Sequence, residues 1–517
     1  GTRSVNDRVP DDNAFSNPVQ LNALPPLQPK EDPADPTGLN RNTLYYNALV
    51  DVTNATNRAG TYRSFSNLSL QYQPIPGLTL RSELGADFLN LNENIFRGRY
   101  TQDGAPTGYG FSNQAQAINY TTNQTATYFK TFGEDHSVEA LAGFSFQRYN
   151  QQSTSAEGRG FPNDQFRRIA SAARITSGSS SQTDYSFISY LTRINYSFRN
   201  KLLLSLSGRV DGSSRFPVDR KYGVFPAGSV GYVLTQEDFL RDNSVLSLLK
   251  IRGSYGITGN AEIGNFSSLR LFSTLPYADQ AGIVPNPNVG NPRLSWENTA
   301  QANIGLEFGF LNNRIGGEVD VFEKRTDGAL LNLLLPYTGG YPNVTKNLGE
   351  IRNRGIELSL NTRNFDQGEF KWSTNFNITF IRNEVTDLDG QEIFGGGRNV
   401  GRIREGEPIG VFWGRKYAGV DPDNGNALYF TADGGTTAVY RDAVDQKIGD
   451  PNPNFTGGLT NTFSFMGFEL SILNQFTQGN DIYNVAGLFQ SVNGDFFDNQ
   501  TRDQLRRWRQ PGDITDE

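Results

Sequence analysis

The chain has no cysteine, one methionine and one histidine among 517 residues. Without cysteine there is no disulfide framework and no thiolate metal site. The lone His136 is the only residue on which a histidine-based triad could be built. It follows Gly133-Glu134-Asp135 in a short turn and reads as a solvated turn residue rather than a catalytic base. Long apolar runs are missing too. The longest are Leu202-Leu203-Leu204 and Leu333-Leu334-Leu335, against roughly 20 apolar residues for a membrane helix. That excludes a helical membrane protein but not one built of strands. A basic excess is also absent. The net charge of −7 argues against a nucleic-acid surface, which shows a basic stripe. Arg167-Arg168 and Arg506-Arg507 read as solvated loop charges. Walker A, HExxH and GxSxG motifs are lacking, and Gly395-Gly396-Gly397 through Gly401 has neither dinucleotide spacing nor a strand-to-helix context. Asp387 and Asp389 lie in a Gly-rich loop without the apolar surroundings that raise a carboxyl pKa. The chain reads as a non-enzyme.

Aromatics are plentiful, with 36 Phe and 22 Tyr. Their placement is clearest over residues 370–380. Phe370, Trp372, Phe376, Ile378 and Phe380 fall on one face of a strand, and Lys371, Ser373, Asn375, Asn377 and Thr379 on the other. Such a strand separates an oily environment from a wet one. Many of them together imply a closed barrel with lipid outside and water inside. On this reading Trp372, Phe376 and Ile378 face lipid, while Lys371, Ser373, Asn375 and Asn377 face the lumen. A hydrophobic content of 36% is low for a soluble chain this long, which would split into several domains. A barrel escapes that constraint because lipid covers its apolar face.

Alternating segments come in pairs around short turns. Ile304, Leu306 and Phe308 lead through Asn312-Asn313 to Ile315, Val319 and Val321, and Phe463 and Phe465 lead through Met466-Gly467 to Phe468, Leu470 and Ile472. Between the pairs lie long Gly/Asn/Asp/Ser/Pro-rich connections at about 150–184, 257–298, 326–353 and 382–456. Short turns alternating with long loops form the outer-membrane layout, with turns in the periplasm and loops outside. Aromatics crowd the short-turn ends (Phe198, Phe308, Phe310, Phe463, Phe468), as an interfacial girdle would. The expected fold is all-β, an antiparallel transmembrane β-barrel with about 14 strands present. Residues 1–60 read as an opening loop segment, 61–477 as barrel strands and loops, and 478–517 as an extracellular loop region.

Several phrases carry a family resemblance: GRVDGSSRFPVDRKYGVFPAGSVGYVLTQEDF at 208–239, LKIRGSYGITGNAEIGNF at 249–266, LGEIRNRGIELSL at 348–360, REGEPIGVFWGRKYAGV at 404–420 and RWRQPGDITD at 507–516. In these the chain resembles the SusC/RagA-type TonB-dependent transporters of Gram-negative outer membranes, in the family's order. The resemblance implies import of large nutrients, oligosaccharides or peptides. It also implies a SusD-like surface lipoprotein over the extracellular face, TonB–ExbB–ExbD coupling through a plug, and outer-membrane lipid around the wall. The family's barrel has about 22 strands. No plug or TonB box is visible here, so the chain is expected to be an internal portion of the barrel, truncated at both ends and unable to transport alone.

Substrate contacts are expected in the long loops, where aromatics supply stacking area. Trp296, Tyr337, Tyr341, Trp413 and Tyr417 are the candidates, though each would serve equally by packing its own loop. Asp421-Pro422-Asp423-Asn424-Gly425-Asn426 is similar to a calcium loop, with Asp421 and Asp423 as candidate ligands of a structural calcium ion. It departs from the EF-hand pattern in its Gly position and in Ala432 at the twelfth place, and a turn-rich hairpin is the default reading. Two rivals remain on the sequence: a passive outer-membrane porin or adhesin barrel, and a soluble all-β carbohydrate-binding protein.

Overall fold

The computed structural model describes residues 1–8, 29–41, 47–275, 277, 280–396, 399–492 and 499–517. Fifteen strands form one sheet in which every neighbour is the next strand in the chain order of the sheet. They are β1 (Thr2–Arg8), β2 (Ala55–Ile75), β3 (Leu78–Arg97), β4 (Tyr109–Phe132) and β5 (His136–Arg159). Next come β6 (Arg174–Phe198), β7 (Leu202–Ser213), β8 (Tyr222–Val233), β9 (Leu246–Asn260) and β10 (Glu297–Phe310). The last are β11 (Ile315–Asp327), β12 (Glu350–Gln367), β13 (Phe370–Asp387), β14 (Phe455–Phe465) and β15 (Phe468–Gln478). All pairings in this sheet are antiparallel.

The register lines the apolar positions up. Ile304, Val321, Ile356 and Phe380 form one cross-strand row, and Leu306, Val319, Leu358 and Ile378 form the next. These rows face away from the protein: Ile304 is 68% exposed and Val321 52%. On the opposite face the same strands pair Asp320 with Glu357, Glu307 with Glu318, and Asn361 with Asn375. In water the exposed rows would be a contiguous apolar surface far beyond what a soluble monomer shows. In a bilayer they are the solvent-facing side. From Phe370 to Phe380 the strand advances ~33 Å, or ~25 Å along the normal at a tilt of ~40°, which is the height of a barrel's apolar band.

The tight connections use left-handed backbone, as two-residue hairpins require. Arg199 and Asn200 have φ of 51° and 52°, and Met466-Gly467 has 47° and 86°. At this end Phe370 packs near Phe365 and Phe463, and Trp372 stacks on Phe463 at 5.7 Å. The Trp372 indole N–H donates to Asn461 Oδ1 (3.0 Å), which also accepts from Thr374 Oγ1 (2.7 Å). An aromatic plane with a wet polar edge suits the membrane interface.

Two expectations are corrected. Residues 1–60 are not loop throughout, because Thr2–Arg8 pairs with Asn57–Arg63 of β2; residues 9–28 and 42–46 of that segment lie outside the described residues. The connection expected over 150–184 shrinks to 160–173, since β5 and β6 run on as a paired ladder through Gly158 and Ile175. Strands of up to 25 residues are more than twice the 9–11 that cross a bilayer. The extension carries Gln151, Gln152, Ser153 and Thr154 with no apolar face, so it has no alternation to read. Backbone pairing holds it, helped by the Ser153–Ser181 hydroxyl contact (2.9 Å) and the stacked Tyr149–Tyr185 rings.

The long-loop end has its own core. Phe216 of the β7–β8 connection and Leu294 and Trp296 of the β9–β10 connection pack with Phe225, Ala261 and Ile263. Phe225 lies across Gly259, where a Cβ would sit 2.1 Å from its ring and 2.9 Å from Trp296. Glycine is required there by close approach. Beneath them Arg215 is buried. Its guanidinium donates to Asn265 Oδ1 (2.9 Å), Ala261 O and Glu262 Oε2 (3.0 Å each), and lies 4.3 Å from the Tyr185 ring.

Two outcomes follow. In the full-length protein, Phe376→Arg will impair outer-membrane assembly, because Arg on the lipid face near mid-bilayer costs ~2–4 kcal/mol, whereas Asn375→Arg will be tolerated; heat-modifiable mobility on gels reads both, and equal damage would refute the assignment of faces. Trp296→Ala will loosen the loop core by ~3–5 kcal/mol and raise protease nicking within 261–296 on intact cells while the barrel stays heat-modifiable. Unchanged nicking would show that Trp296 does not hold the loops.

Candidate functional site

Two surfaces can meet a solute: the inward face of the wall and the loops above it. On the inward face Lys371 stands 3.9 Å from Asp366, Asn375 donates its side-chain amide to Asn361, and Asn377 lies opposite Ser359 of β12. Ser373 shares their parity, opposite Arg363 and Thr462. These four residues form one column of hydrogen-bonding side chains.

A denser cluster on the same face escaped the sequence reading. Arg252 of β9 reaches Glu307 of β10 (3.2 Å) and Glu318 and Asp320 of β11 (3.1 and 2.6 Å). Lys250 bonds Glu307 at 3.0 Å. Asp320 is 6% exposed, and Gly305 opposite it leaves the room that the guanidinium occupies. The three strands contribute one or two charges each, so no local motif marks the cluster. Only inward parity on consecutive strands would have grouped these residues. A groove of about 600 Å³ runs from Arg252 and Lys250 past Asn303 to Ser205, Asn195 and Glu139. Its polar groups are already linked: Asn195 donates to Glu139 (3.0 Å) and accepts from Ser205 (2.7 Å).

The loop aromatics separate into different roles. Trp296 is 8% exposed and its indole N–H is spent on Lys221 O at 2.9 Å. Burial in the loop core removes it from the set able to touch a solute. The side chain of Tyr337 lies outside the described residues. Tyr341 is half-buried in the β11–β12 connection, beside the small hairpin Leu330–Leu334 with Asn343–Asn347. Trp413 belongs to a loop sheet made by 393–395, 401–403, 411–415 and 445–449. The Arg404 guanidinium lies 3.8 Å over its ring. Tyr417 opens a second loop sheet and is 43% exposed. Its hydroxyl donates to Asp516 O (3.1 Å). Burial of the phenol, then the nearby Glu517 carboxylate, raises its pKa above the ordinary tyrosine value.

Trp413 and Tyr417 therefore sit in the same β13–β14 connection. Their surroundings include aromatics absent from the sequence-derived set. Tyr429 lies 6.1 Å from Tyr417 and 5.0 Å from Tyr440, Arg415 covers Tyr440 at 4.1 Å, and Arg402 covers Phe394 at 4.0 Å. Planar guanidinium and ring surfaces alternate across these sheets, an arrangement suited to stacking and hydrogen bonding. Each arginine is separated from its ring by a turn or a strand pairing, which hides the pairs from a linear reading.

Asp421 and Asp423 lie in the turn between Val420 and Ala427 of the second loop sheet. Both Asp421 carboxylate oxygens accept within the turn, from Asp423 N (3.0 Å) and Asn424 Nδ2 (2.7 Å). Among the described residues no group of three acidic, His or Cys side chains gathers that could hold a metal. The hairpin itself accounts for the segment: Gly425 has φ of 77° and its N–H returns to Asp421 O at 2.8 Å. His136 opens β5 and shares a hydrogen bond with Tyr196 OH (2.8 Å) against the Phe198 ring, at the short-turn rim.

Comparison with known proteins places this geometry. The family described as TonB dependent receptor-like, beta-barrel matches residues 2–463. TonB-dependent receptor P39 of Formosa agariphila is 31% identical over 512 residues, covering 88% of this chain and 49% of its own length. TonB-dependent receptor SusC of Bacteroides thetaiotaomicron is 29% identical over 351 residues, covering 66% of this chain and 35% of its own. The RagAB peptide importer in its closed-closed state superposes with a TM-score of 0.88 at 25% identity, covering 99% of this chain and 59% of that one. The RagAB peptide transporter gives 0.85 at 26% identity, over 94% and 56%. The chain spans about half the length of the Formosa relatives it matches. With a wall apolar outside and ionic inside, it belongs to the TonB-dependent receptor β-barrel family of the Gram-negative outer membrane.

Proposed function

We propose that the protein to which this chain belongs imports large nutrients, oligosaccharides or peptides, across the outer membrane. A SusD-like lipoprotein covers its loops and TonB–ExbB–ExbD drives it through a plug. The observation that carries the reading is the division of one sheet into an apolar outer face and a hydrogen-bonding inner face, topped at one end by loop sheets rich in Arg–aromatic stacks. A passive porin needs the first feature and not the second. Stacked guanidinium and ring planes favour a ligand with many hydrogen-bonding groups and flat or weakly apolar faces, which pyranosides and peptides share. The likeness to RagAB, described as a peptide importer, supports the peptide branch. In this reading the inward column from Lys371 to Asn377 and the Arg252 cluster face the plug and the passing solute, and Trp413 and Tyr417 meet the solute first.

The test is uptake by the full-length protein in a host that carries its lipoprotein partner. Uptake of labelled oligosaccharide or peptide will fall to background when TonB or the partner is deleted. Trp413→Ala will weaken capture roughly three- to tenfold, the value of one aromatic stack, without altering protein level. Uptake that persists without TonB would replace active import by passive diffusion.

A further inference from the structure

The lipid-facing rows end in charge. One pleat beyond Ile356 and Phe380, on the long-loop side, Arg354 of β12 lies directly opposite Arg382 of β13. Both side chains are exposed. One pleat further, Arg352 is held by Glu384 at 2.6 Å, and on β11 Arg325 is held by Glu323, also at 2.6 Å. Glu323 stands opposite Arg354 in the register but is engaged by Arg325. Among the described residues, Arg354 and Arg382 have no carboxylate within ion-pair distance. Asp327 and Glu350 lie two pleats farther out, opposite one another. Like charges directly opposite on neighbouring strands destabilise a sheet, and an anion seated between them would relieve this pair.

The position says which anion. With the short-turn girdle at one interface and an apolar band ~25 Å tall, the pleat after Phe380 stands at headgroup level of the outer leaflet. A groove of about 860 Å³ has both arginines and Glu323 in its lining, and Ile304, Val321, Ile356, Phe380 and Phe455 give it an apolar wall. We propose that this is a binding site for a phosphorylated lipid of the outer leaflet, with the phosphate held between Arg354 and Arg382 and an acyl chain laid along the groove. Arginine is suited to a phosphate because its fork takes the oxygens in pairs and its charge is permanent. The proposal rests on the outer-membrane placement and is independent of what the protein imports.

Native mass spectrometry of the full-length protein, delipidated in nonionic detergent, tests it. The probes are phosphorylated lipid A and the same lipid with its phosphates removed. Wild type will retain the phosphorylated form and lose the dephosphorylated one. The double variant Arg354→Gln/Arg382→Gln will bind the phosphorylated form about tenfold more weakly, whereas Arg199→Gln at the opposite rim will match wild type. Arg354→Lys/Arg382→Lys keeps both charges and will bind within a few-fold of wild type, so it and the two-lipid comparison still decide if the Gln variant fails to assemble. Equal retention of both lipids by wild type, or undiminished binding by a folded Gln variant, overturns the proposal. Displacement of the phosphorylated lipid from both wild type and Arg199→Gln by inorganic phosphate alone would reduce it to a simple anion site and overturns the lipid assignment. Loss of a protein–protein dimer in the Gln variant, with lipid binding unchanged, assigns the face to a second copy instead.

Discussion

Hydrocarbon offers no partner to a backbone N–H or C=O, and an unpaired group there costs several kcal/mol. The inter-strand ladder is therefore the constraint on which everything else in this chain depends. It drives each strand to pair with the next where lipid surrounds it, and along β3–β4 and β4–β5 the pairing runs unbroken from turn to loop. Once pairing is complete, side-chain direction has no freedom left. A residue is in lipid or in the lumen by parity alone. That is why Ile304, Val321, Ile356 and Phe380 can be fully apolar while Asp320 and Glu357, one residue away, carry charge.

This same constraint explains what sequence reading could reach. Where parity and hydropathy coincide, as at Phe370–Phe380, the strand, its alternation and its turn are legible from residues alone. Where the ladder continues without an oily side, the signal vanishes. Residues 150–159 and 174–184 are polar on both faces, so they read as loop, yet they pair as regularly as the membrane portion. The fold there is specified by its neighbour across the ladder, not by its own composition. Thr2–Arg8 was missed for the same reason: seven residues with one apolar side chain, Val5, say nothing until β2 is beside them.

Site residues were less legible, because their partners are distant in the chain. On the sequence Trp296 has two readings, touching a solute or packing its own loop. Its environment is made by Phe216 and Phe225, and by the glycines that let Phe225 lie flat. Arg215 sits inside a phrase that marked the family, but its buried bonds to residues 261–265 belong to another loop. Trp413 and Tyr417 do fall in the loop sheets, whereas the arginines that cover Trp413, Tyr440 and Phe394 come from other parts of the β13–β14 connection, Arg402 directly opposite Phe394 in its sheet. Aromatic residues announce themselves by type. Whether a given one holds a loop or faces solvent is decided by strand pairing elsewhere.

The Arg252 cluster shows the ladder working on electrostatics. Glu307, Glu318 and Asp320 crowd one patch of wall, and three carboxylates that close would repel strongly in a medium of reduced dielectric. Arg252 bonds all three, and Lys250 adds a second cation at Glu307. The glycine at 305 is what makes this geometry available, since a Cβ there would sit 2.6 Å from Asp320 and 2.7 Å from the Arg252 guanidinium. Removing one carboxylate from such a patch changes little, because two remain. Removing Arg252 leaves Asp320 buried at 6% exposure with no cation to offset its desolvation. In this cluster one cation, Arg252, holds several anions. The outer face inverts the arrangement at Arg354 and Arg382, two cations with no fixed anion of their own. A wall built by parity can hold opposite electrostatic problems a few residues apart, and it resolves one with its own side chains and leaves the other to whatever surrounds it.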